Sequence, residues 1–474
     1  MVIHDLIIQP GFDRWRDLIR KPSRTKIFGH TLADWFSKTR CELGLDVVKP
    51  VIATGHQTLL WHPGILAKYL AVHSFARTGD FAAANLIVDQ HADGFGDFEI
   101  PVRRGDGSLV VRRMHLTTPQ PGVPMGLHEP FTPPRPFQRI TGVLPSVAEG
   151  VQLIYEKVYA HRDAVSAARQ MAAALEDMMH PWVDPMPSVT ASELLETTFA
   201  RALLTKMADD PWHCTRCYNQ AVVEHSDAGI GTLLIRDDYV ELPLWRIRED
   251  GRRMHAYDGD VQMWLVQNEA SPKLMPRALL LTALIRLGMC DLFVHGTGGA
   301  NYDRVMEQWI ENWLGVKTSS IAVVSATLHL PLADHDEEEI DIEQARRSLR
   351  RAWHDPESAS STSSRPGPLK RELLGELASK PYGSSDRRAA FFHMHERLGT
   401  FRDDRRESID AIGAAYEQAR LRSENSDIAS RRTWAFPLYE KEAIDTLAQQ
   451  VESATIPAGI ITEKTDRNRG DIQG

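Results

Sequence analysis

The chain has 474 residues, 42% hydrophobic and 25% charged, which is ordinary globular stock with enough apolar material for a large core in one to three domains. Lys and Arg number 55 against 64 Asp and Glu, a formal charge of −9, which argues against broad grip on a nucleic-acid backbone but leaves room for a local basic pocket for a small anion. Four cysteines fit a reducing cytoplasm rather than a disulfide framework, Met1 to Pro10 lacks the order of a signal peptide, and no apolar run nears the roughly 20 residues that span a bilayer.

In chain order, Lys49 to Thr54 predicts a buried strand, Gly64 to Ala76 a helix and Asn85 to Asp89 the next strand. That spacing makes a right-handed βαβ unit with parallel strands. Phe98 to Val102 and Leu109 to Leu116 flank Gly105-Asp106-Gly107 and predict a hairpin. Seven prolines between Pro119 and Pro136 exclude a helix there. Val147 to Met179 reads as a long helical region and Thr232 to Ile247 as hairpin-like. Leu279 to Leu287 is helical, Asp291 to His295 a short strand, Gly296 to Gly299 a turn, Tyr302 to Leu314 a helix and Ile321 to Ser325 a strand. Strands alternating with helices predict an α/β fold with an open parallel sheet. The expected division is a core over 1–352 with a helical insertion at about 147–210, a linker or loop at 353–370, and a helical region over 371–474. The linker reading rests on the serine run Ser358 to Ser364, with the acidic run Asp334 to Asp341 upstream. Beyond it, Phe391, Met394, Leu398 and Phe401 step at helical spacing, as do Ile409, Ile412, Tyr416 and Ala419. The four-residue slip between the blocks reads as a stutter in a coiled coil, or as helices packed on their own domain.

Four segments carry candidate chemistry. Thr54-Gly55-His56-Gln57 through His62-Pro63-Gly64 follows a buried strand and opens a helix, where helix N–H groups point at anionic ligands. His62-Pro63-Gly64-Ile65 partly matches the His-x-Gly-His signature of nucleotidyl-transferring enzymes, whose histidines stabilise developing phosphate charge. In Asp89-Gln90-His91-Ala92-Asp93 a continuing strand puts Asp89, His91 and Asp93 on one face. Two carboxylates and a histidine can bind a divalent metal or act as acid and base. His295-Gly296-Thr297-Gly298-Gly299-Ala300-Asn301-Tyr302 is a glycine loop opening a helix, with Lys273 and Arg277 upstream as anion partners. Cys214 and Cys217 form one C-x-x-C with His213 and His225 nearby; without a second pair, two free thiols are the default.

Taken in order, these motifs resemble those of the bacillithiol biosynthesis cysteine-adding enzymes, the bacillithiol synthases. That family's Thr-Gly-Gln-Gln segment, leading into a helix with Tyr and Lys, is similar to Thr54-Gly55-His56-Gln57 with Gly64 and Lys68-Tyr69. Its Glu-Asp-His-Asp strand end is similar to Asp89 to Asp93, its Ser-Pro-Asn-x-x-x-Arg element to Ser271 to Arg277, and its glycine loop to Gly296 to Tyr302. Ser325-Ala326-Thr327-Leu328 and Ala435-Phe436-Pro437 continue the collinear match. His56 stands where the family has Gln, and Asn301 where it has Glu. The resemblance implies a Rossmann-like core with a coiled-coil domain, a homodimer through the helical region, and joining of the cysteine carboxyl to the amine of a glucosaminyl malate.

The expectation is therefore a cytoplasmic carbon–nitrogen ligase acting on small molecules. The loop Gly296 to Gly299 cradles a phosphate or carboxylate, His56 and His62 stabilise charge, and Asp89, His91 or Asp93 takes the amine proton or holds a metal. Lys273 and Arg277 hold an anionic substrate group, and Thr54, Gly55, Gln57, Gly64, Thr297, Asn301 and Tyr302 complete the binding surface. ATP as activator and a divalent metal as cofactor are both left open. Nucleotidyl transfer and a non-catalytic nucleotide- or metabolite-binding protein are the alternatives.

Overall fold

Val51, Ile52, Ala53 and Thr54 are all buried, and this unbroken run lies at the centre of a six-stranded sheet. A parallel strand covered on both faces reads as a continuous apolar run rather than an alternating one. The computed structural model describes residues 5–19, 26–79, 81–134, 140–268, 271–332, 341–358 and 365–455. The sheet comprises β1 (Asp5–Gln9), β2 (Val51–His56), β3 (Ala82–Ile87), β4 (Ser188–Thr190), β5 (Leu292–His295) and β6 (Ser320–Thr327). Its order is β1-β6-β5-β2-β3-β4, with β1 antiparallel to β6 and every other pair parallel. The helix α1 (Pro63–Ala76) joins β2 to β3, α2 (Ala278–Gly288) precedes β5, and α3 (Gly299–Leu314) joins β5 to β6.

By contacts the chain divides into two units. The first holds the sheet and comprises Met1–Ile100, Arg112–Leu330 and Arg432–Gly474. Its strands β2 and β5 are pinned side by side by a buried ion pair. Arg40 Nη2 meets Asp291 Oδ2 at 2.5 Å, the same oxygen accepts the Val51 N–H at 2.7 Å, and Arg40 Nε donates to Met289 O at 2.7 Å. One carboxylate thus binds the start of β2, the entry to β5 and a helix, Leu32–Glu42, that carries the arginine.

The second unit comprises Pro101–Val111 and Pro331–Arg431. Its helices are α4 (Ile342–His354), α5 (Pro368–Ala378), α6 (Ser385–Asp404) and α7 (Arg406–Ala429). Met394 and Leu398 of α6 pack on Leu373 of α5, and Ile409 of α7 packs on Ala352 of α4. The four-residue slip between the two apolar blocks coincides with the break at Arg405 between α6 and α7. Each block therefore keeps its own phase against a different helix of the same unit.

Several expected elements shift. The strand expected at Asn85 to Asp89 ends at Ile87, and the helical region from Val147 is two helices, Pro145–Ala160 and Ala167–Met179. The hairpin-like zone expected at Thr232 to Ile247 holds a short antiparallel turn with one bridge, Ile235 to Val240, and the longer hairpin is Glu241–Ile247 paired with Arg253–Tyr257, whose turn, Arg248 to Gly251, is closed by the Gly251 N–H on Arg248 O. Within 353–370, α4 ends at His354, a 3-10 turn spans Pro356–Ser358, and α5 begins at Pro368. Ser358 closes that turn, while the rest of its serine run, 359–364, and the acidic residues 334–340 lie outside the described residues. Among the described residues no helix is long and apolar enough to cross a membrane.

Arg40→Ala strands the buried Asp291 carboxylate without its partner, and its expected cost is about 3–5 kcal/mol of folding free energy, read from urea unfolding. A loss below about 1 kcal/mol removes the pin from its structural role.

Candidate active site

The chain leaves β2 toward β3 on one side and leaves β5 toward β6 on the other, so two adjacent parallel strands diverge at their carboxyl ends. Such a switch point opens a crevice at the sheet edge. A cavity of about 470 Å³ lies there, between the residues after β2 and the glycine turn after β5. Its wall on the β2 side is Gly55, His56, Gln57, His62 and Gly64; on the β5 side it is His295, Gly296 to Gly299 and Tyr302. Leu86, Val88, Leu281, Ile285 and Phe293 give it an apolar floor.

α1 shapes the polar wall. Pro63 sits in its first turn, and His62 caps it by accepting the Gly64 N–H on Nδ1 at 3.1 Å. Gly64 is required by close approach, since a Cβ there would lie 2.8 Å from Ala326 O and 2.9 Å from Ser325 Oγ of β6. The helix is apolar nearly all round, and it carries Lys68 inward, where the residue is only 3% exposed. Lys68 Nζ donates to Gly55 O at 2.8 Å. No Asp or Glu lines the cavity among the described residues, while Lys68, Arg432 and three histidines do.

Burial sets the protonation of these groups. It pulls the Lys68 ammonium down to about 7. It pulls His56 down to about 3, with the Lys68 charge adding to the effect, and His62 down to about 4, with Arg432 and Lys68 adding. Both imidazoles are therefore neutral at pH 7, each with one N–H to donate. His62 uses Nδ1 as its acceptor, so its proton is on Nε2.

His295, at the end of β5, is held differently. Its Nε2 lies 2.8 Å from Asp303 Oδ2, and Asp303 is fully buried against Arg286 Nη1 at 2.8 Å. Arg286 of α2 is also bound by Glu307 and by Ser319 O. Gln90 reaches the cavity from beyond β3, and its Oε1 is buried without a hydrogen-bond partner.

Ten of the expected site residues thus come together: Gly55, His56, Gln57, His62, Gly64, Gly296, Thr297, Gly298, Gly299 and Tyr302. Seven do not line the cavity. Thr54 turns to the neighbouring strand, donating Oγ1 to Val294 O at 2.9 Å. Because β3 ends at Ile87, the alternation assumed for Asp89, His91 and Asp93 does not apply. Asp89 is buried, accepts the Ser192 N–H at 3.1 Å and is pushed up by burial. Asp93 is exposed and pairs with Arg253 at 3.0 Å, while His91 is half-buried outside the cavity wall and lowered by burial. Lys273 and Asn301 are exposed. Arg277 is committed to Glu241 and stacks on Trp245.

Among the described residues no three His, Cys, Asp or Glu side chains gather as a metal site, so Asp89, His91 and Asp93 do not form one. Cys214 and Cys217 sit one turn apart on the helix Pro211–Glu224, both buried and free. Sequence reasoning singled out the segments that hold His295 and Gln90 without giving either residue a role, reached Lys68 only through the family resemblance, and missed Arg432 and Asp303. Lys68 and Arg286 had a signal, a lone cation in an otherwise apolar helix. Arg432 had none. Set against known proteins, the chain matches no family model and no curated protein.

The neutral state of His56 carries a stability signature. The unfolded imidazole binds a proton below 6.5 and the folded one only below about 3, so stability falls with pH across that window. From pH 7 to 5 the expected loss from this residue is about 2 kcal/mol. Urea unfolding at both pH values should show a smaller loss in His56→Gln; an equal loss means His56 titrates normally in the folded state.

Proposed function

We propose that the chain is a carbon–nitrogen ligase related to the bacillithiol synthases, joining a phosphate-activated acyl group, of cysteine or a similar acid, to the amine of a small anionic amino sugar. The observation that carries this reading is a switch-point crevice with Lys68, Arg432, His56 and His62 and, among the described residues, no carboxylate on its wall. A buried ammonium without a counter-ion is unfavourable until an anion supplies one. A phosphate seated against Lys68 does so, and the start of α3, which has no side-chain cap, turns its first-turn backbone N–H groups to the opposite wall. Neutral His56 and His62 then donate hydrogen bonds to charge that develops on the reacting carbonyl and the leaving phosphate. The apolar floor excludes water, which would otherwise hydrolyse an activated acyl group.

The same reading takes the sheet of the first unit as Rossmann-like. It takes the helical unit as a coiled-coil-like dimerisation element, for which the exposed Phe391 and Phe392 of α6 are contact candidates. Free thiols without a disulfide among the described cysteines accord with a cytoplasmic setting.

The test is incubation of the full chain with ATP, cysteine and glucosaminyl malate, with mass spectrometry of the product. An amide is expected, and Lys68→Met should weaken pyrophosphate binding about 10- to 100-fold by calorimetry. Folded protein that makes no amide and binds neither ATP nor pyrophosphate overturns the reading. Pyrophosphate release without amide transfers the site to nucleotidyl transfer, prompted by His62-Pro63-Gly64.

A further inference from the structure

We infer that His295 and Asp303 form a proton-accepting dyad in this crevice, with His295 Nδ1 as general base and Asp303 as its positioning residue. The reaction it serves rests on the acyl-transfer reading above; its geometry does not.

β5 delivers His295 to the carboxyl edge of the sheet, and α3 returns Asp303 behind it. The Asp303 carboxylate is fully buried and compensated by Arg286, itself 1% exposed. An ionised carboxylate only accepts hydrogen bonds, so the proton between them belongs to His295 Nε2 and leaves a lone pair on Nδ1. That nitrogen lies over Gly299, where a Cβ would sit 2.4 Å away. Glycine is therefore the residue that lets the ring lie there.

The three cavity histidines differ in this respect. His62 Nδ1 is occupied by the Gly64 N–H, and His56 Nδ1 lies 3.3 Å from Gln57 O. His295 alone of the three has a carboxylate behind it among the described residues, and no protein group there bonds its Nδ1. The groups facing it are Asp303 and Tyr302 from α3, Phe293 from β5, and Lys68 from α1 across the cavity. Arg286 acts on it through Asp303.

In the reaction the neutral amine nitrogen attacks the acyl carbon of an acyl phosphate or acyl adenylate. The C–N bond forms, the acyl C–O bond to phosphorus breaks, and its electron pair leaves with the phosphate. The surplus N–H proton passes to His295 Nδ1, and the imidazolium is stabilised by Asp303 until water removes the proton.

Two measurements on the full chain test this. ¹⁵N-histidine spectra, assigned with His295→Ala, should show the Nε2–H tautomer for His295, and Asp303→Asn should abolish that pattern. An Nδ1–H tautomer in the wild type overturns the dyad. In single turnovers with synthetic cysteinyl adenylate and glucosaminyl malate, His295→Ala should lower the rate at saturation about 100-fold or more. KM should stay within about threefold, and added imidazole should restore part of the rate. An unchanged rate overturns the base assignment. Should Asp303→Asn fail to fold because Arg286 is left unpaired, His295→Ala still decides. A wild-type chain inactive on the adenylate refutes the acyl-transfer reading, and the tautomer then decides the dyad by itself.

Discussion

The pairing of β2 with β5 is the constraint on which the site depends. These strands are far apart in sequence, and each continues into a helix that leads away from the other. Their contact is secured at the start by Asp291, which binds Arg40 and the Val51 N–H, and near the end by Thr54 on Val294 O. With that edge fixed, divergence of the two connections leaves a crevice rather than a packed loop. A slip of one residue in this register would reverse which side chains face each layer and would scatter the cavity wall.

The second organising feature is cost. Two helices of the first unit that are apolar nearly all round each bury one cation, Lys68 in α1 and Arg286 in α2. The two are treated in opposite ways. Arg286 is compensated by Asp303 and Glu307 and supports the structure around His295. Lys68 has no carboxylate partner among the described residues; it meets the Gly55 carbonyl and the Tyr69 ring and has a depressed proton affinity. Unpaired buried charge is disfavoured in a stable core and useful in a site that awaits an anion. That contrast between the two buried cations sets the crevice apart from the packed core around Arg286.

The helical unit follows ordinary packing logic. α6 and α7 each carry a short apolar stripe, and each stripe meets a separate helix, α5 or α4, inside the same unit. One long helix would have required a single continuous stripe. The break at Arg405 removes that requirement, and it lies where the spacing of apolar residues changes phase.

Composition and periodicity determined much of this protein before any coordinates: an α/β chain with parallel strands, helices at Gly64 to Ala76 and Tyr302 to Leu314, and two glycine-bearing segments after strands, which line one cavity. The strands, the helices and the glycine turns are local features, because burial on both faces and helix starts leave marks within a few residues. Tertiary structure decided which polar residues take part. Asp89, His91 and Asp93 looked like a catalytic face only while the strand was assumed to continue, and it stops at Ile87. Arg277 looked free until Glu241 was placed beside it. Arg432, Asp303 and Gln90 join the site or its support from distant points of the chain. Whether a charged side chain is bound, exposed or left waiting depends on partners remote in sequence, and no local pattern records them.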